Sequence, residues 1–256
     1  MLKFHSRRAI LRFVHRRGLP HQPLLLTATS HFPQSRLLVT RSFSQQRPFM
    51  STSTGLKSIS GEEWEKLSPE AKIQLSGPDK WGWVVYRCSY APEFDGLWND
   101  LKRRIQKDLR ESILQSDAPG IVETMDFVFV EDPALEGASI DELQSRFRVW
   151  AREDAAASGI DLEDPQHWRG SRHSFFLRAD GEGLRDRYVG LVHGWPVPQE
   201  PGPELDGCTE PPELEREDWM KIYLSSISPY VYDTLENEEM FYAGYFPPES
   251  GPVPYW

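Results

Sequence analysis

Apolar residues recur at every fourth position from Leu97 to Ile113, through Leu101, Ile105 and Leu109, with Trp98 widening the stripe. That spacing predicts a helix over about Asp95 to Gln115 that packs by one face. Ahead of it, Trp81 to Tyr90 is rich in aromatic and β-branched residues and predicts a strand. Alternation puts Trp83, Val85, Arg87 and Ser89 on one face, and Val84, Tyr86, Cys88 and Tyr90 on the other.

Thr124 to Val130 predicts a second strand, apolar on both faces and so expected to be central. A second helix begins at Ser139. Ser139 and Glu142 have the spacing of a capping box, Ile140, Leu143, Phe147 and Trp150 form its apolar face, and Gly159 closes it. After a loop over 160–171, His173 to Leu177 and Tyr188 to His193 predict two strands. Trp219 to Leu224 predicts another strand, and Ser228-Pro229 opens a short helix to about Glu236. Met240 to Phe246 predicts a last strand, with an extended tail over 247–256. A short helix over Gly61 to Gln74 precedes the whole.

The expected order, β-α-β-α-β-β-β-α-β, favours an α+β fold. In it, helices pack on one face of a largely antiparallel or mixed sheet. The opening β-α-β unit is similar to part of a ferredoxin-like fold. One domain spans 81–246, interrupted by an acidic excursion over 196–212 that holds six prolines.

Charge divides the chain more sharply than pattern does. Ten of its 29 basic residues lie in the first 60 positions and all 39 acidic ones follow, so residues 61–256 carry a net charge of −20. Residues 1–43 are Arg-rich and acid-free, which is the composition of a mitochondrial transit peptide. Leu2 to Arg17 can form an amphipathic cationic helix, and Arg41-Ser42-Phe43-Ser44 has the form of a matrix-peptidase site. Residues 44–80 form a linker and the short helix. The expected location is the mitochondrial matrix, or the cytoplasm if Met50 serves as the start.

The acidic body lacks the basic stripe that nucleic acid requires. Lys102, Arg103, Arg104 and Lys107 lie among acids and suit a solvated helix face. No apolar run approaches the roughly 20 residues of a membrane span. Cys88 and Cys208 are too few for a disulfide framework, and both are expected as free thiols.

From the strand at Trp81 onward the chain resembles a large, uncharacterised family of fungal proteins. The likeness rests on Trp-Gly-x-Val-x-Tyr-Arg at 81–87, Val-Glu-Asp-Pro-Ala-Leu-x-Gly-Ala at 130–138, Arg-Phe-Arg-x-Trp at 146–150 and Trp219-Met220-Lys221. It covers about residues 80–246, implies a fungal source and a shared fold, and transfers no catalytic residue.

Signatures of chemistry are sparse. His167, His173 and His193 have no metal-binding spacing, and no metal is expected. Gly181-Glu182-Gly183 lacks a third glycine and is not expected to open a helix after a strand, so no nucleotide cofactor is expected. There is no nucleophile elbow, and Cys88 suits core packing.

What remains is polar side chains on apolar strands: Arg87, His173 and His193, with Trp195 beside the last. Arg87 needs a partner, for which Glu131 and Asp132 are candidates. Three readings follow. The first is a non-catalytic or ligand-binding protein. The second is a small enzyme using His193, His173 and Arg87. The third is a module whose proline-rich segments dock a protein partner. The sequence specifies neither ligand, partner nor oligomeric state.

Overall fold

The computed structural model describes residues 59–164, 169–195 and 217–254. The leader, Met50, His167, Cys208 and the proline-rich excursion lie outside them.

Two short helices, α1 (Gly61–Glu65) and α2 (Pro69–Ser76), replace the single helix expected over Gly61 to Gln74. Pro69 divides them, because proline disfavours helical backbone in the residue before it. Ser68 is extended instead, and its hydroxyl accepts from the Ala71 N–H at 3.0 Å. Ser60 and Glu63 form a reciprocal capping box on α1.

β1 (Val84–Arg87) lies within the strand expected there, and its alternation holds. Trp81, Trp83 and Val85 enter one core, and Val84, Tyr86 and Cys88 enter another. The long helix that follows is α3 (Asp95–Arg103), a π-helical stretch (Arg104–Leu109) and α4 (Arg110–Leu114). The apolar stripe explains the middle piece. Four residues overshoot an α-helical turn by about 40°, so a strict spacing of four would wind off the core face. A π stretch widens the turn and keeps Leu101, Ile105 and Ile113 buried together.

β2 (Val128–Val130) pairs with β1 alone and forms the edge of the sheet, contrary to the central position expected. Both of its faces are apolar because each is covered. Phe127 and Phe129 pack against one core, Val128 and Val130 against the other. Apolar residues on both faces therefore report cover above and below, and say nothing of neighbours alongside.

α5 (Ile140–Ala157) starts at Ser139, whose hydroxyl accepts from the Glu142 N–H at 3.2 Å. The reciprocal half of the expected capping box is replaced by an ion pair, with the Glu142 carboxylate 3.3 Å from Arg146. His173 and Ser174, expected to begin a strand, end a short helix, α6 (Gly170–Ser174). β3 (Phe175–Ala179), α7 (Gly181–Asp186), β4 (Tyr188–His193) and β5 (Trp219–Tyr223) follow.

Gly181-Glu182-Gly183 does open a helix after a strand, contrary to expectation. Its glycines serve packing. A Cβ on Gly181 would meet the Phe94 ring at 2.5 Å, and one on Gly183 the Tyr188 carbonyl oxygen at 2.7 Å.

α8 (Pro229–Thr234) carries the expected Ser228 cap and Pro229. The strand expected over Met240 to Phe246 is a helix, α9 (Glu239–Ala243). Phe241 and Tyr242 supply the reason. Both rings meet His193, at centroid distances of 6.0 and 5.8 Å. Consecutive residues on a strand point to opposite faces, whereas on a helix they lie about 100° apart and can reach one neighbour together. The tail turns at Pro248–Ser250, and Val253 then bonds to both Lys221 and Tyr223, so that it is built onto β5.

The sheet order is β2-β1-β3-β4-β5. The first three strands are parallel, and β3, β4 and β5 pair antiparallel. The fold is thus α+β with a mixed sheet. Helices expected on one face lie on both. Residues of α2, α3, α4, α7, α8 and α9 share the first core, and α5 packs the second through Leu143, Phe147, Ala151 and Ala155. β1 and β2 are direct neighbours, so the opening unit is a plain β-α-β without the intervening strand of a split, ferredoxin-like one. No helix among the described residues is long and apolar enough to cross a membrane.

Candidate functional site

The sheet register separates the residues that the sequence offered as one constellation. Arg87 lies opposite Ala179, at the C-terminal end of β3, whereas His193 lies opposite Phe175, at its start. Four residue steps of strand, about 13 Å, lie between these ends. His173, His193 and Trp195 gather at one end of the sheet, and Arg87 stands alone at the other.

At its own end Arg87 sits where β1 and β2 release chain to opposite faces, into α3 and α5. Such a switch point is where open α/β sheets often bind ligands. Here the position is filled. Arg87 Nη2 bonds to Asp95 at 2.5 Å, Nη1 lies 3.6 Å from Glu131, and Nε donates to the Ser89 carbonyl at 2.8 Å. Its guanidinium also lies 4.7 Å from the centroid of the Tyr90 ring. Glu131 is the partner expected, whereas Asp132 turns to Arg146 at 3.2 Å. The Lys102 ammonium, 2.7 Å away, holds the Glu131 carboxyl below its ordinary value.

At the other end the helix α6 spends four consecutive side chains on four destinations. Ser171 accepts from the Trp83 indole at 3.1 Å. Arg172 donates from Nε and Nη2 to Asp154, from Nη2 to Asp126, and from Nη1 to the carbonyls of Gly82 and Asp126. These bonds, between 2.7 and 3.2 Å, occupy all five guanidinium donors.

His173 Nε2 lies 3.0 Å from Asp154. Burial pushes this imidazole below its ordinary value against the pull of Asp154. Burial would also raise the Asp154 carboxyl, but Arg172 and His173 outweigh it and hold that carboxyl at about 2. Ser174 donates to Glu238 at 2.5 Å. Trp195 donates to the His173 carbonyl at 2.6 Å, with Arg169 and Arg152 over its ring.

His193 is fully buried between the rings of Phe175 and Phe241. Its Nδ1 lies 3.1 Å from the Tyr242 hydroxyl, which also lies 3.3 Å from Asp218. Its Nε2 lies 3.6 Å from Glu238, beyond hydrogen-bond distance. Burial raises the Asp218 carboxyl despite the nearby imidazole. For Glu238 the balance is reversed: burial works upward, and His193 and Ser174 bring the carboxyl below its ordinary value.

Sequence reasoning found the histidines and missed Arg172, Asp154, Asp126, Glu238, Tyr242 and Asp218. One signal was present. A run of four polar residues, Ser171 to Ser174, stands directly before the apolar strand Phe175-Phe176-Leu177 and has no room to face water.

Cys88 is a buried free thiol, and burial pushes it up to about 11, as suits core packing. Among the described residues no three His, Cys, Asp or Glu side chains come together to hold a metal. Two surface grooves stand out, of about 100 and about 330 Å³. The first is lined by Tyr230, Met240 and Val253 among others, the second by Arg152, Ile160 and Leu162 among others, and neither includes Arg87, His173, His193 or Trp195.

Comparison with protein-family models, with curated proteins and with solved structures finds no match.

Proposed function

We propose that this chain is a non-catalytic or ligand-binding protein of the mitochondrial matrix, whose buried polar residues serve the fold. The observation that carries this reading is the commitment of Arg172, Arg87 and His173 to partners within the protein. Arg172 has all five donors engaged, Arg87 is held by Asp95 and the Ser89 carbonyl, and His173 is turned onto Asp154. The acid-free basic leader supports the mitochondrial address.

Stability tests the non-catalytic part. Catalytic groups are commonly held at a cost to the fold, so their replacement leaves stability unchanged or raises it. Arg87→Met and His173→Asn are expected instead to lower the melting temperature. Variants as stable as the wild type would favour the enzyme. For the address, a fluorescent fusion of residues 1–50 is expected in mitochondria, with N-terminal sequencing of the full chain reading a start near Ser44. A diffuse fusion and an intact Met1 would overturn it.

A further inference from the structure

The groove of about 100 Å³ contains none of the buried Arg and His side chains, and its walls are fixed. Tyr230 lines it from α8, Met240 and Ala243 from α9, and Val253 and Pro254 from the tail. Each wall is anchored from behind. Val231 and Tyr232 hold α8 in the first core, Phe241 holds α9 there, and Val253 is bonded to β5.

The surface left outward is apolar and open. Tyr230 and Met240 are 45% and 41% exposed, and Ala243 is exposed beside them. Small-molecule pockets hold roughly 300–1,000 Å³, so a groove of this size suits a single large side chain. A methionine wall can adjust to the shape of that side chain.

Charge sets the kind of chain that brings it. From Ile222 to Trp256 the sequence has five acids, Asp233, Glu236, Glu238, Glu239 and Glu249, and no Lys, Arg or His. Asp233 is paired with Lys72 of α2 at 3.7 Å, and Glu236 and Glu238 accept from Ser171 and Ser174. Glu239 and Glu249 are exposed. Glu239 stands one helical turn before Ala243, on the same face of α9. Beyond Gly244, burial raises the Tyr245 phenol, and the nearby carboxylates of Glu217, Glu249 and Asp218 add to it.

A second copy of this chain would bring like charge against this rim, and an anionic membrane surface would be repelled in the same way. A basic chain is attracted. We infer that the groove between α8, α9 and the tail docks a basic segment of a partner protein. One bulky apolar side chain of that segment enters against Met240 and Tyr230, and its flanking lysines or arginines lie over Glu239 and the other carboxylates of the rim.

NMR titration of the full chain at physiological salt tests this with a synthetic peptide in which one leucine has three lysines on either side. Saturable shifts are expected at the Met240 methyl and at the amides of Ala243 and Gly244. Replacing the leucine with serine should weaken binding about tenfold or more, and replacing the lysines with glutamates should abolish it. Glu239→Lys should weaken it about two- to fivefold and leave the melting temperature unchanged. Equal binding of the leucine and serine peptides would overturn the proposal, because attraction to an acidic body would then be all there is. Binding of the glutamate peptide, or shifts centred away from Met240, would overturn it too. Met240 shifts that grow with protein concentration alone would give the groove to a second copy instead.

Discussion

Asp154 grips Arg172 with both carboxylate oxygens, at 2.7 and 3.2 Å, and lies 3.0 Å from His173 through one of them. The pair joins α5 to α6, and through Asp126 and Gly82 it reaches the chain just ahead of β2 and β1. Without Asp154, Arg172 keeps the Asp126 carboxylate at 2.9 Å and two carbonyls, but one of its charge partners and that of His173 are gone. Asp154→Ala is therefore expected to lower the unfolding free energy by about 1–3 kcal/mol, read by urea unfolding at pH 7. A loss below about 1 kcal/mol, the value of an exposed pair, would show that Asp126 and the carbonyls suffice.

The same pair sets an acid limb. The folded Asp154 carboxyl is held at about 2, below its value in the unfolded chain. Its contribution is complete above the ordinary carboxyl range near 4 and is lost as pH falls toward 2. The stability gap between wild type and Asp154→Ala should narrow over that interval. A gap that stays constant down to pH 2 would contradict the assignment.

Gly194 follows His193 and meets the second core. A Cβ there would lie 2.2 Å from the Phe147 ring, which has Phe176 against it at a centroid distance of 5.0 Å. Gly194→Ala is expected to cost about 1–3 kcal/mol through overpacking, measurable by thermal unfolding. The double variant Gly194→Ala, Phe147→Leu should recover part of that loss, and no recovery would place the strain elsewhere.

At the start of α5 only one half of the capping box is formed, and the two residues should differ accordingly. Ser139→Ala removes the bond to the Glu142 N–H and is expected to cost about 1 kcal/mol. Glu142→Ala removes an exposed ion pair with Arg146 and should cost no more than about 0.5 kcal/mol. Equal losses in chemical denaturation would mean that the reciprocal bond forms in solution.

The tail over 247–256, expected to be extended and offered in one reading as a partner ligand, is built into the domain through its described residues, 247–254. Val253 donates to the Lys221 carbonyl at 3.0 Å and accepts from the Tyr223 N–H at 3.3 Å, and Pro248 is buried. Truncation after Phe246 should therefore lower the melting temperature. An unchanged melting temperature would return the tail to the role of a free ligand.

Much of the local structure was legible before any coordinates. The two faces of β1, the run of helix from Asp95, the caps at Ser139 and Ser228 and the thiol of Cys88 all follow from neighbours within a few positions. Alternation and helical period are properties of the backbone itself. Even the π stretch has its trace, in an apolar spacing of four where an α-helix turns in 3.6.

What the chain does not carry locally is who stands beside whom. Nothing in Thr124 to Val130 distinguishes an edge strand from a central one, since cover above and below produces the same apolar run. Met240 to Phe246 has the composition of a strand, and it is helical because two adjacent rings must reach one histidine. Arg87 and His193 looked like members of one site because each is a polar residue on an apolar strand. Only the register of β1, β3 and β4 sends them to opposite ends.

The partners of Arg172 and His193 lie from 18 to 90 positions away. A sequence pattern reads the few angstroms that one turn or one pleat spans. The buried polar clusters of this protein are closed by contacts across the whole chain, and those exist only once the sheet has chosen its order.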